Sequence, residues 1–365
     1  MQVIVNRNAL ADVLVVASGI ASARTTKDVL KCVRLTATEG ELLIGSTDLE
    51  VALRCSVRQV EVRKPGDILV PADKLTQIAR ESVDETLTIG VEDQVCHVRG
   101  VDSHFEVYGQ DPNEFPPVPD LEGEPDAEVA VEVLCRLIDQ TSFAVAKENT
   151  RYAINGVLWE KKNKRLCFVA TDGRRLARAV GAAEQAGSGD ASMIVPAKTI
   201  HVLQRVLANG EGQAAIRFSD NQVIVKCNGY VVSSALVEGQ FPNYDEVIPK
   251  DNDKSIELST EAFISAVRRA ALLTNEQSKG VRLSFTQDKL VLSSRAPEQG
   301  EATISMRAGY GGENVDIGFN PNFILDALRV VGTPTVNFEM KETNRPGVLK
   351  AGSEFMYVVM PVSLA

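Results

Sequence analysis

The sequence predicts an α+β fold of three tandem, pseudo-symmetric units, each with two helices packed on antiparallel sheets. Three landmarks predict it. Val70-Pro71-Ala72-Asp73-Lys74-Leu75 recurs as Val195-Pro196-Ala197-Lys198-Thr199-Ile200 and, loosely, as Asn320-Pro321-Asn322-Phe323-Ile324, so the three prolines stand 125 residues apart. Thr47-Asp48 recurs as Thr171-Asp172 at an offset of 124. Phe115-Pro116 recurs as Phe241-Pro242 at 126, with Met360-Pro361 in the equivalent late position. Self-similarity at one period marks a repeat architecture, and a unit of about 120 residues is a third of this chain. The expected units are 1–122, 123–250 and 251–365.

The elements follow in order. Met1 to Asn6 reads as a strand and not as a signal peptide. Leu10, Val13, Leu14 and Ala17 keep helical spacing, which predicts a helix over 7–17. Proline suits a first helical turn, where its missing N–H is not needed. Pro71, Pro196 and Pro321 therefore predict helices over 72–81, 197–208 and 321–331, each after a strand. Thr86–Val91 and Gln222–Lys226 alternate apolar with polar residues, as half-buried antiparallel strands do. The acidic, proline-rich run from Asp111 to Asp126 reads as a linker, and Asp245 to Asp253 as a shorter one. Val131, Leu134, Ile138 and Val145 predict a helix over 131–146. Phe263, Val267 and Ala270 predict another over 260–273, with Ser259-Thr260-Glu261 supplying cap chemistry. Helix, strands, helix, strands, three times over, is an α+β pattern.

Composition narrows the function. At 44% apolar and 24% charged, the chain is too rich in core-forming residues for an acidic disordered protein. It has no run near the roughly 18 apolar residues of a membrane span. None of the six cysteines stands at C-x-x-C spacing, and most lie in apolar alternation, as in Leu166-Cys167-Phe168. They read as buried, reduced thiols of a cytoplasmic protein. The three histidines have no ligand-spaced neighbour in sequence, so neither metal nor cofactor is expected. The phosphate-loop, nucleophile-elbow, zinc-protease and dinucleotide signatures are all missing. A hydrolase using Asp48 or Asp172 is the weaker alternative, and a peptide-binding scaffold without a DNA role is the other.

Charge needs a closer look. With 39 basic and 49 acidic residues the net charge is −10, which by itself argues against nucleic acid. The six predicted helices nevertheless sum to +2, leaving −12 for the rest of the chain. On 197–208, Lys198, His201 and Arg205 share one face, opposite Ile200, Leu203 and Leu207. Arg268 and Arg269 oppose the apolar face of 260–273 in the same way. Repeated around similar units, such faces would make a shared surface less acidic than its surroundings. A solvated outer face on a core-packed helix is the alternative.

Longer motifs carry a resemblance. Thr150-Arg151-Tyr152-Ala153-Ile154-Asn155-Gly156, Ala170-Thr171-Asp172-Gly173-Arg174-Arg175-Leu176-Ala177, Phe241-Pro242-Asn243-Tyr244-Asp245-Glu246-Val247-Ile248-Pro249 and Tyr357-Val358-Val359-Met360-Pro361-Val362 resemble the bacterial DNA sliding clamps, the β subunits of replicative DNA polymerase. The likeness runs the whole length. It implies a head-to-tail homodimer closing a six-unit ring on duplex DNA, a tether that raises the polymerase's effective concentration. The implied partners are duplex DNA, the polymerase catalytic subunit, the clamp loader, and other polymerases and repair proteins bearing clamp-binding peptides.

The resemblance also implies residue roles. Arg24, Arg151 and Tyr152 fall at DNA-contact positions, with Lys198 and Arg205 lining the hole. Such contacts touch phosphates without reading bases. The peptide cleft would comprise Ile154, Thr171, Gly173, Arg174, Arg175, Leu176, Pro242, Val247, Val358, Met360, Pro361 and Val362. Lys74, Phe105, Leu272 and Leu273 fall at ring-interface positions. Glu148, Arg174, Glu246, Ser363 and Ala365 depart from the family pattern.

Overall fold

The computed structural model describes residues 1–21, 25–147, 153–187, 189–208, 210–274, 280–297 and 299–363. The chain packs as two compact units. One holds Met1–Cys135, Ala183–Gly189 and Lys198–Leu236; the other holds Arg136–Ala182, Asp190–Ala197 and Val237–Ala365. The middle repeat is thus divided between them.

The helices are α1 (Arg7–Ser18), α2 (Ala72–Glu81), α3 (Val131–Ser142), α4 (Ala197–Leu207), α5 (Thr260–Ala270) and α6 (Pro321–Leu328). All but α3 start where the sequence supplies a cap or a proline. The Asn6 side chain accepts from the Ala9 N–H, Ser259 from Ala262, and Asn320 from Asn322. Such caps satisfy amides that the first turn leaves unpaired. Pro321 is the first residue of α6, whereas Pro71 and Pro196 each end a strand one residue before their helix.

α4 ends one residue short of its predicted end, and three other helices are shorter by three or more. α3 stops at Ser142, so Val145 lies beyond it in the next turn. After Ala270 the backbone tightens to a 3₁₀ turn over Ala271–Leu273. At the end of α6 the Arg329 and Val330 amides bond back to Leu325 and Ala327, closing the helix. Apolar spacing alone does not distinguish a last helical turn from the tight turn after it.

Unit one contains two antiparallel sheets. The five-stranded sheet runs Val60–Lys64, Gln2–Asn6, Thr86–Glu92, Val95–Arg99, His104–Tyr108. The nine-stranded sheet joins two repeats: Val51–Val57 of the first pairs with Tyr230–Ala235 of the second, Ala52 facing Ser233. Unit two repeats this plan. In its eight-stranded sheet Arg175–Ala182 pairs with Phe355–Val359, Leu176 facing Val358. Its four-stranded sheet runs Gly300–Arg307, Lys289–Ala296, Val281–Thr286, Val315–Phe319. Compact packing therefore follows strand pairing and cuts across the sequence period.

The predicted core residues of α1 and α5 are buried, and Phe338 ties the third repeat together by stacking on Phe285 and meeting Phe263 and Phe319 edge-on. The six cysteines are thiols, and all but Cys135 are buried. Burial pushes Cys32 up to about 11 and Cys55, Cys96 and Cys227 up to about 12. His97 and His104, seven residues apart in sequence, come together on adjacent strands. Among the described residues no helix is long and apolar enough to cross a membrane.

Candidate functional site

One turn is built twice, and the repeat is legible down to its hydrogen bonds. In unit two, Thr171 Oγ1 donates to the Arg175 carbonyl and accepts from the Gly173 N–H, while Asp172 Oδ1 accepts from the Arg174 and Arg175 amides. In unit one, Thr47 and Asp48 make the same set with Val51, Leu49 and Glu50. The turn requires a left-handed residue at its third position. Gly173 provides it at φ +83°, and Leu49 takes it at +81°. Glycine adopts this region without steric cost; an L side chain does not. The free carboxylate oxygens of Asp48 and Asp172 are each bound to a cation, so neither is presented as a catalytic base.

The second Thr-Asp turn borders a cavity of about 200 Å³. Its lining includes Ile154, Thr171, Gly173, Arg174, Arg175, Leu176, Pro242, Val247, Val358 and Met360, all expected from sequence. The walls are mostly carbon. Ile154, Leu176 and Val358 form the buried floor, while Met360 and Val247 keep 41% and 48% of their surface exposed at the mouth. Strand pairing places Val358 beside Leu176, and the Met360 N–H bonds to the Arg174 carbonyl at 2.9 Å. Glu246 points to Asn243, whose Nδ2 it accepts at 2.7 Å.

Arg175 is the rigid wall of this cavity. Its Nε donates to Asp172 (3.0 Å), Nη1 to Asp326 (2.8 Å) and Nη2 to the Phe143 carbonyl (2.8 Å). The guanidinium also lies 4.4 Å from the centre of the Phe323 ring. Burial disfavours its charge, but the bonded carboxylates of Asp326 and Asp172 favour it, and its pKa is held above the usual arginine value. A buried cation is tolerable only when paired and hydrogen-bonded in this way.

Two expected residues do not line the cavity. Beyond Met360 the chain leaves the cleft, and the Val362 N–H bonds to the Gly318 carbonyl. Val362 is tied instead to the strand Val315–Phe319. Sequence reasoning missed Tyr244, which lines the cavity and donates its hydroxyl to Glu160 at 2.6 Å. Its signal was its place inside the Phe-Pro-Asn-Tyr motif.

The other candidates fall into two groups. Arg24, Arg151 and Tyr152, with Glu148 and Ala365, lie outside the described residues. Lys198 is not a free cation, because its Nζ is bonded to Asp48. Arg205 is exposed on α4, with its guanidinium over Gly19 at the end of α1; a Cβ there would stand 2.7 Å from Nη1. Cations are favoured at such a C-terminus. Phe105 is 39% exposed on the outermost strand of the five-stranded sheet. Lys74 is exposed on α2, near Asp73. Leu272 is 77% exposed and Leu273 half-buried in the turn after α5.

Comparison with known proteins covers the whole chain. The DNA polymerase III beta subunit family matches in three segments: its N-terminal domain over residues 1–119, its central domain over 128–243 and its C-terminal domain over 245–363. The beta sliding clamp of Pseudomonas aeruginosa is 35% identical over 367 residues, and that of Escherichia coli K12 is 31% identical, with full coverage of each chain. A crystal structure of the P. aeruginosa sliding clamp bound to griselimycin superposes with a TM-score of 0.94 at 34% identity, again over 100% of both chains. The Bacillus subtilis clamp structure gives 0.94 at 25% identity, also over 100% of both.

Proposed function

The chain belongs to the DNA polymerase III beta subunit family, the beta sliding clamps, and from that premise we propose how its surfaces divide the work. It is a replication processivity factor and not a catalyst. Two copies close head to tail into a ring around duplex DNA and tether the replicative polymerase. The clamp loader and other polymerases and repair proteins share that ring.

The observation that carries the peptide-docking reading is the apolar cavity beside the second Thr-Asp turn. A clamp-binding peptide places its apolar anchor on Leu176 and Val358, against a wall fixed by Arg175. Met360, flexible and partly exposed, adapts to different anchors. Arg174 at the rim offers a cation to a peptide carboxylate. On the DNA side, Arg205 contacts phosphate, joined by Arg24, Arg151 and Tyr152. Lys198 serves the turn of Asp48 first. The ring joint uses Phe105 and Lys74 of one copy and Leu272 and Leu273 of the other. Both lie at or near sheets that end in an edge strand, which is a ready template for association. We take the three units as 1–122, 123–250 and 251–365, and the location as cytoplasmic.

The test is retention. Loaded onto nicked circular DNA, the protein should stay bound through a high-salt wash and leave when the circle is cut. Loss from intact circles at the same rate as from linear DNA would overturn the ring reading.

A further inference from the structure

The free edge of the five-stranded sheet carries a cluster that neither peptide docking nor DNA contact uses. Val95–Arg99 and His104–Tyr108 form a hairpin in which His97 faces Glu106 and Arg99 faces His104. Strand alternation places His97, His104 and Glu106 on one face and buried Cys96 and Val98 on the other. His97 Nδ1 lies 3.1 Å from His104 Nε2 and 3.6 Å from Glu106 Oε1. One donor atom from each of the three residues lies within 4.8 Å of the other two.

These spacings suit a metal ion. Zinc binds imidazole nitrogen at about 2.0–2.1 Å and carboxylate oxygen at about 2.0–2.2 Å, so the two measured separations correspond to angles of about 98° and about 120° at the ion. Both bracket the tetrahedral value. The Glu106 side chain is 58% exposed and can swing to complete the geometry. His97 faces Gly90 on its other side, and Gly90 brings no side chain of its own. Arg99 shares the face, and its charge is the cost the site carries.

We propose that His97, His104 and Glu106 bind a divalent transition-metal ion of the zinc type, with water at the fourth position. Two imidazoles and one carboxylate select such ions over magnesium or calcium, which prefer oxygen ligands throughout. The ion pins the outermost strand to its neighbour at the sheet edge that bears Phe105. The ligands themselves stand independently of any role for that edge in ring closure.

Calorimetric titration of tag-free, metal-free protein with Zn²⁺ tests this. The expected result is one equivalent per chain, a raised unfolding midpoint with Zn²⁺ and none with Mg²⁺. Cobalt(II) should give the visible absorption of a tetrahedral site. His104→Ala and Glu106→Gln, both at exposed positions, should each weaken binding at least about tenfold, since each removes one of three ligands. His201→Ala, on α4, should bind as the parent does. Absence of Zn²⁺ binding by the parent, or unchanged binding by a His97→Ala, His104→Ala double variant, would overturn the proposal. Retention on circular DNA is a separate measurement, so failure of the ring reading and failure of this site are distinguishable.

Discussion

Truncating Met360 to alanine tests the cleft without disturbing the fold. Its backbone is held by strand pairing up to Val359 and by the bond from its own N–H to Arg174, neither of which needs the side chain. Fully burying a methionine side chain is worth about 1.5–3 kcal/mol. Met360 still exposes 41% of its surface, so a peptide that covers it gains about 0.6–1.2 kcal/mol. That corresponds to a loss of about three- to eightfold in peptide affinity on truncation. Fluorescence anisotropy with a labelled polymerase-derived clamp-binding peptide measures it, and the melting midpoint should stay near the parent's. Leu49→Ala, at the corresponding rim in unit one, is the control and should leave affinity unchanged. Arg175→Ala is the poorer experiment. It strands Asp172 and Asp326 and removes a buried ion network, at a cost of about 3–5 kcal/mol in stability. A Met360→Ala, Val247→Ala double variant that folds normally and binds the peptide as tightly as the parent would refute the reasoning.

Leu272→Asp should convert the dimer to monomers in sedimentation without loss of helix content, because the side chain is already 77% exposed; an unchanged dimer moves the interface elsewhere. Arg205→Ala should lower the slope of log affinity against log salt by about 0.9 on duplex DNA, the value for one phosphate contact. Lys198→Met should change that slope much less and instead lower the melting midpoint, since it leaves Asp48 without its cation; equal slopes for the two variants would contradict their separation. The raised thiol pKa values give a pH signature. Below about pH 9 folded and unfolded thiols are both protonated, whereas between there and pH 11–12 only the unfolded ones ionise, so stability should fall with rising pH across that window. Serine at Cys55 and Cys96 should flatten the fall in a urea titration, and an unaltered slope would rule these thiols out as its source.

Much of this was legible because the repeats keep residues whose local chemistry is sufficient by itself. Asn320 and Ser259 cap helices with their own side chains, and Thr-Asp closes the same turn wherever it stands. Ten lining residues of the cleft lie on motifs that could be read as units. What the sequence hid was partnership across long separations. Nothing local ties Lys198 to Asp48, or Arg175 to Asp326, 150 and 151 residues away. The same is true of the two-unit packing, where strands of the middle repeat join one neighbour or the other. The pairing of His97 with His104 was hidden by a turn that folds a seven-residue spacing back on itself.

Comparing the two turns explains why the second borders an apolar cavity. At the fourth residue after threonine, unit two has Arg175 and unit one has Val51. At the helix position one period apart, unit two has Phe323 and unit one has Lys198. The cation that neutralises the turn aspartate has therefore changed elements. In unit one it comes from α4, and in unit two from the strand, where it stacks on the aromatic ring that replaces the lysine. The neighbouring groove in unit one, of about 370 Å³, has Ala52, Ser233 and Ala235 at the positions of Leu176, Val358 and Met360, and Glu50, Asn221 and Gln222 add polar groups to its lining. Apolar anchors gain free energy from carbon surface and lose it when polar groups are covered unpaired. The same backbone device thus yields a sticky cleft in one unit and a wet groove in the other. The divergence lies in side chains that repay desolvation, which is the property a shared docking site for varied apolar peptides requires.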